Sequence, residues 1–257
     1  MSLIQDPGCP DDDPVERDLA GHLSTGRFDY IDFGCSKGGS LAYGKKALNG
    51  ALGLGIDLNP AKVAHTRTAG FSACVADARQ LSLHPNSVRF VTMIDFLEHL
   101  PSITDAKGCI EAACSAATDF VFIRQPWFDS DGYLFSLGLK LYWSDWTVHP
   151  NAMTTLEFHS IVSRVEGVKN WRLYGRNLIV RSADDAIHPI SSLPDQHAWD
   201  PKSHGPKFHM HFSQKVFRQV VCVINKSEKD IYKEIEHKNQ KCELIFDSEM
   251  TGVVGDA

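Results

Sequence analysis

The chain has 257 residues, 43% of them hydrophobic and 23% charged, with a formal net charge of -6. That length and apolar content allow one sizeable core, and the acidic balance gives no electrostatic reason to expect nucleic acid, which usually meets a basic stripe. No run of eighteen or more apolar residues occurs, so no membrane-spanning helix is expected. The N-terminal stretch "MSLIQDPGCPDDDPVERD" is acidic and proline-containing, with neither the basic region nor the apolar region of a secretory signal. Seven cysteines (Cys9, Cys35, Cys74, Cys109, Cys114, Cys222 and Cys242) are odd in number and lack a Cys-x-x-Cys pair. That usage argues against a disulfide framework or a zinc site and for a reducing cytoplasm.

Residues 1–27 are expected to form a leader, with "PVERDLAGHLS" one short helix. "FDYIDFG" reads as a buried strand stopped by Gly34, and "SLAYGKKALNG" as a helix closing on Gly50. "ALGLGIDL" is a second strand, ending at Asp57. "NPAKVAHTRTAG" is the next helix, with Asn59 as its cap and Pro60 at its first position. "FSACVAD" gives a third strand ending at Asp77, and Phe90 to Ile94 a fourth. "SITDAKGCIEAACSAA" is helical, and "DFVFIRQP" is a fifth strand broken by Pro126.

Beyond Pro126 the pattern changes. An aromatic-rich segment, 127–150, reads as a lid walling an apolar pocket or as packing of the crossover, with both readings open. "TTLEFHSIVSRVEG" returns to helix, and "WRLYGRNLIVRS" and "KVFRQVVCVINK" are two further strands. Between them lies an insertion, 183–214, rich in His, Pro and Ser. His209 and His211 in it would share one face of a strand, although an exposed loop edge fits them better than a ligand pair. Residues 227–257 are expected to form a helix and a loose tail, leaving 28–226 as the main domain.

Alternating strands and helices imply a mostly parallel sheet with helices on both faces. Right-handed crossovers then bring Gly34, Asp57, Asp77 and Asp95 to the carboxyl edge of that sheet, where open α/β folds bind ligands. "GCSKGGS" fits neither the phosphate loop nor the dinucleotide fingerprint, because Ser36 stands at the fingerprint's second glycine. Asp57, about 20 residues past the glycines, suits ribose hydroxyls, which nicotinamide cofactors and S-adenosylmethionine share. Its alternative role is a helix cap.

Four segments in register, "DFGCSKGG", "GIDLNP", "ADARQL" and "FVTMIDFLEHLP", resemble a class I S-adenosylmethionine-dependent methyltransferase. The resemblance runs over roughly residues 28–181 and continues weakly through "VVCVI". It implies a Rossmann-like, seven-stranded, mostly parallel sheet whose last strand is antiparallel and inserted next to the fifth, plus an insertion and a C-terminal extension. It implies S-adenosylmethionine as cofactor. Asp32, Gly34, Cys35, Ser36 and Gly38 would stand at its methionine end, Asp57 and Leu58 at the ribose, Asp77 and Ala78 at the adenine, and Asp95 over the methionine. Ser36 and Arg89 depart from the common pattern of the family.

Methyl transfer needs alignment above all, and a base only where the acceptor must lose a proton. Asp95, His99 and His149 are the candidates. His99 is otherwise a residue packing its turn against the sheet, and Glu98 a first-turn acid favoured by the helix dipole. Asp95, Glu98 and His99 are also similar to a metal-binding arrangement in ubiquinone-biosynthesis O-methyltransferases, although no metal is expected. A small-molecule acceptor in the cytoplasm is the leading expectation. A non-catalytic cofactor-binding scaffold and a nicotinamide-dependent reductase are the alternatives.

Overall fold

The structure, a computed structural model, describes residues 27–239 and 241–250. The expected leader helix and Cys9 lie outside these residues. β1 (Tyr30–Phe33), α1 (Gly39–Ala47), β2 (Gly53–Asp57), α2 (Pro60–Thr68) and β3 (Ser72–Val75) follow the predicted order. The Asn59 side chain accepts from the amides of Ala61 and Lys62, and Pro60 occupies the first turn of α2, as the sequence signals. β4 (Val88–Ile94) starts two residues earlier than expected, and α3 (Ile103–Ala116) follows, capped by Ser102. β5 (Ala117–Pro126) then leads into α4 (Asp131–Ser136), β6 (Leu139–Leu141) and α5 (Thr155–Val162), the last opened by a Thr154/Glu157 capping box. β7 (Asn170–Arg181), β8 (Ile187–Pro189), α6 (Pro201–His204), β9 (His211–Asn225), α7 (Tyr232–Lys238) and β10 (Cys242–Asp247) complete the chain. Among the described residues no helix is long and apolar enough to cross a membrane.

The main sheet has eight strands in the order β10-β7-β9-β5-β4-β1-β2-β3. β1 to β5 pair in parallel, and β9 runs antiparallel between β5 and β7. That is the expected sheet with one addition. The C-terminal extension forms the expected helix as α7 and then returns as β10, antiparallel on the β7 edge, while its last residues, 251–257, lie outside the described ones. Asp247 near its end binds the Arg172 guanidinium at 2.7 Å, which ties this strand to β7.

Period-two alternation divides the core between the two faces of the sheet. Ile31, Val91, Val121 and Ile123 face α3, α5 and the aromatic segment, whereas Tyr30, Phe90, Phe120 and Phe122 face α1, α2 and α7. On the second face Tyr30, Phe90 and Phe120 form a stack across three strands, with centroids 4.7 and 4.8 Å apart. Arg89, the residue that departs from the family pattern, forks onto Asp29 with two bonds of 3.0 Å and lies over the Phe90 ring. The departure is thereby accommodated at the N-terminal end of the sheet, away from the ligand edge.

The aromatic segment divides between core and surface. Trp127 and Phe128 are buried, with Trp127 against Phe217 of β9, whereas Phe135 is exposed. The 183–214 insertion folds onto this segment. β8 pairs with β6 in a small second sheet, Lys140 Nζ donates to the Ser192 carbonyl at 2.7 Å, and Asp195 accepts from the Thr147 amide at 2.8 Å. Its role in the fold is to buttress the wall that carries Tyr142, Trp143 and Trp146. His209 and His211 are exposed, and only His211 lies in a strand, so they form no ligand pair on one strand face.

Candidate functional site

Two cavities meet at the carboxyl edge of the sheet. The first, of about 530 Å³, is lined by Gly34, Ser36, Asp57, Leu58, Asp77, Ala78 and Asp95 of the expected residues. Ile56, Lys62, Arg79, Phe96, His99 and Val148 are among those that complete it. The second, of about 450 Å³, lies between Tyr142, Trp143, Trp146, His149 and Arg218. Asp95 and His99 line both, so the cavities share a wall.

The loop after β1 turns with two consecutive constraints. Gly34 has φ +75°, and a Cβ there would lie 2.5 Å from Phe96 Cδ2, so neither conformation nor space admits a side chain. Ser36 also adopts a left-handed φ of +47°. Its backbone is held on both sides, because the amide donates to Asp57 Oδ2 at 2.8 Å and the carbonyl accepts from Thr66 Oγ1 at 2.8 Å. A serine thus takes a glycine-like conformation that costs on the order of 1–2 kcal/mol, offset by these two bonds.

Asp57 caps no helix. Asn59 has that role, and the second Asp57 oxygen accepts from the Asn59 amide at 2.9 Å. Asp77 caps a 3-10 turn at Ala78–Gln80, and its carboxylate is gripped by the Arg79 guanidinium at 2.6–3.1 Å. Hydrogen bonds from Arg79 hold the Asp77 pKa below its ordinary value.

Three expected residues stand behind the wall rather than in it. Asp32 alternates inward to the α1 face, fully buried, where Ser40 Oγ and Thr92 Oγ1 donate to it. Burial pushes its pKa up to about 7 against those two bonds. The Cys35 thiol packs in the core of the same face, and Gly38 begins α1 with φ +89°. The register of β1 explains the first: the strand places Asp32 under the loop, not over the cleft.

The turn after β4 corrects two expectations. Glu98 is a first-turn acid, but of a separate 3-10 turn and not of α3, which begins at Ile103, and it is buried at 1% exposure. Burial, with the Asp95 charge second, raises its pKa well above the carboxylate range. His99 is not packed away: its side chain is 46% exposed and faces both cavities. The loop before α5 is fastened to this turn, since Asn151 Nδ2 donates to the Leu97 carbonyl at 2.9 Å and its amide to the Glu98 carbonyl at 3.3 Å. That docking brings His149 to a ring-centroid distance of 5.0 Å from His99, although 49 residues separate His99 from Val148. Burial chiefly lowers the His149 pKa. Asp95, at φ +50°, faces Arg124 at 3.6 Å and Gln219 at 3.5 Å.

Asn177, Arg218 and Gln219 of the second cavity come from β7 and β9 and were missed in the sequence. No local signal marks them, because their position depends on β9 returning beside β5. Arg79 and Phe96 did carry a signal, each lying within two residues of an acid that ends a strand.

A family model described as a methyltransferase domain matches residues 31–114, which span β1 through most of α3. No curated protein sequence matches the chain. Among solved structures the chain is similar to a SAM-dependent methyltransferase from Archaeoglobus fulgidus, at 14% identity and a TM-score of 0.55, covering 82% of this chain and 91% of the other. A putative methyltransferase from Bacillus halodurans C-125 matches at 12% identity and 0.52, covering 82% and 99%. The YcgJ protein of Bacillus subtilis matches at 12% and 0.51, covering 83% and 100%. These likenesses concern the fold, while the family model covers about a third of the chain, from β1 into α3. Residues 31–114 thus match a methyltransferase domain, and the fold is one that S-adenosylmethionine-dependent methyltransferases share.

Proposed function

We propose that the protein transfers the methyl group of S-adenosylmethionine to a small-molecule acceptor held in the aromatic cavity. The observation that carries this reading is the shared wall: two cavities of about 530 and 450 Å³ meet at Asp95 and His99. A displacement at carbon needs donor and acceptor in line and close, which two adjoining chambers provide.

In this reading the Gly34–Ser36 loop receives the amino-acid end of the cofactor. Asp57 takes the ribose. A carboxylate has roughly four acceptor sites, and two are used by the Ser36 and Asn59 amides, so both ribose hydroxyls still find a lone pair. Asp77, already bridged by Arg79, would accept the adenine amino group as a further donor beside Ala78. Asp32 acts from below, through Ser40 and Thr92, as a support of the loop.

Tyr142, Trp143 and Trp146 supply flat apolar walls for the acceptor, and Asp95, His99 and His149 supply the polar groups at its reacting end. The test is a methyl-labelled cofactor offered with hydroxyl, amine and carbon acceptors in separate pools, with S-adenosylhomocysteine release as the readout. Acceptor-dependent release, abolished in Asp57→Ala, supports the reading. Cofactor binding with no release in any pool would favour a non-catalytic scaffold.

A further inference from the structure

Three side chains at the shared wall are arranged in a way that acid–base chemistry does not require. Glu98, His99 and His149 each offer one ligand atom, and these atoms lie within 4.8 Å of one another. His99 Nδ1 is 2.8 Å from the Val148 carbonyl, and His149 Nδ1 is 3.1 Å from the Trp143 carbonyl. A carbonyl only accepts, so in the neutral ring each Nδ1 carries the proton and each Nε2 keeps its lone pair. Backbone carbonyls that fix the tautomer from behind are what metal-bound imidazoles generally have. The third member is a carboxylate at 1% exposure whose Oε2 is buried with no hydrogen-bond donor. A buried carboxylate oxygen without a hydrogen-bond donor is costly, and His99 Nε2, 4.0 Å from Oε1, offsets it only in part.

We propose that Glu98, His99 and His149 bind one divalent transition-metal ion of the zinc class, at the point where the cofactor cleft opens into the acceptor cavity. Two imidazoles and one carboxylate suit such an ion and disfavour magnesium, which prefers oxygen alone. Ligands around an ion at about 2.1 Å in tetrahedral array stand about 3.4 Å apart. Glu98 Oε1 and His99 Nε2 are 4.0 Å apart and every pair lies within 4.8 Å, so the cluster closes onto an ion when each pair draws together by about 1.4 Å or less. This set differs from the Asp95, Glu98, His99 grouping suggested by the sequence. Asp95 is directed to Arg124 and Gln219, and His149, brought in by the Asn151 staples, takes the third corner.

Three protein ligands leave coordination positions open, and these face the cavity that His149 and Glu98 line. Resting on the methyl-transfer reading, the ion would bind an acceptor hydroxyl, lower its pKa and set it beside the donor. The hydroxyl proton passes to the Asp95 carboxylate. The oxygen then forms a bond to the methyl carbon as the carbon–sulfur bond breaks, and sulfur keeps the electron pair. The acceptor class is therefore an alcohol or phenol.

The test is a titration of the metal-free protein with Co2+, followed by its visible absorption, with Zn2+ as competitor and Mg2+ as comparator. His149→Ala and Glu98→Gln are titrated alongside, with S-adenosylhomocysteine calorimetry on the same samples. The expected result is one Co2+ per chain, displaced by Zn2+ and not by Mg2+, with affinity falling more than about tenfold in both variants. Neither residue lines the cofactor cleft, so S-adenosylhomocysteine binding persists in both and shows that they are folded. Absence of a Co2+ spectrum, equal affinity in the variants, or displacement by Mg2+ would each overturn the site. Co2+ binding without S-adenosylhomocysteine binding would leave the metal site standing and remove the methyl-transfer reading instead.

Discussion

Asp57 accepts the Ser36 amide at 2.8 Å, so the acid that ends β2 fastens the loop that follows β1. One carboxylate therefore shapes the cleft and faces into it. Asp57→Ala removes both functions. The expected outcome is at least a tenfold loss of S-adenosylhomocysteine affinity by calorimetry, with stability lowered by about 1–3 kcal/mol from two lost charge-assisted bonds. Unchanged affinity in a folded variant would show that Asp57 does not meet the cofactor.

Gly34→Ala tests the turn itself. The left-handed φ costs a side chain about 1–2 kcal/mol, and the new Cβ would strike Phe96 at 2.5 Å. Urea denaturation should show a loss of about 2 kcal/mol or more. Adding Phe96→Ala should relieve only the collision, relative to Phe96→Ala alone. Complete relief would mean that the backbone conformation carries no cost.

Asp32 gives a pH signature. Its folded pKa is about 7, against an ordinary value of 3.8, with burial as the cause. Between these values the unfolded chain releases a proton that the folded chain keeps, so this contribution is full below about pH 4 and is lost as pH rises to 7. In Asp32→Asn that slope disappears. The stability of wild type minus variant should fall with rising pH across this window by on the order of 4 kcal/mol, at about 1.4 kcal/mol per unit. Parallel urea midpoints from pH 4 to 8 would contradict the burial of a protonatable Asp32.

Asp247→Ala tests the eighth strand. Asp247 is 5% exposed and binds Arg172, which also meets Glu236 at 3.2 Å and lies over Tyr232. Arg172 is left with Glu236, so the expected loss is about 1–3 kcal/mol, read as a lowered urea midpoint. No change would mean that β10 is held by its backbone ladder alone.

Much of the cofactor side was legible because it is local. Asn59 and Pro60 mark the start of α2, and glycines and acids mark the strand ends. The position of Asp32 is legible in the alternation of β1, which puts it on the face of Tyr30 whatever its place in the motif. The environment of Glu98 was not legible, because only the docking of the Asn151 loop over residues 97–99 buries it. Long-range return of the chain also explains β10 and the insertion. "CELIF" has strand character, but its partner, β7, is more than sixty residues away. Aromatic residues at 127–150 could not be sorted by composition, since core and cavity wall use the same side chains.

The most direct measurement is calorimetry of wild-type protein with S-adenosylhomocysteine, with NADPH as the comparator. One binding site for S-adenosylhomocysteine, with an affinity on the order of micromolar, and none for NADPH is the predicted result. A silent S-adenosylhomocysteine titration on folded protein would contradict the account, and binding of NADPH in its place would reassign the cleft to a nicotinamide cofactor.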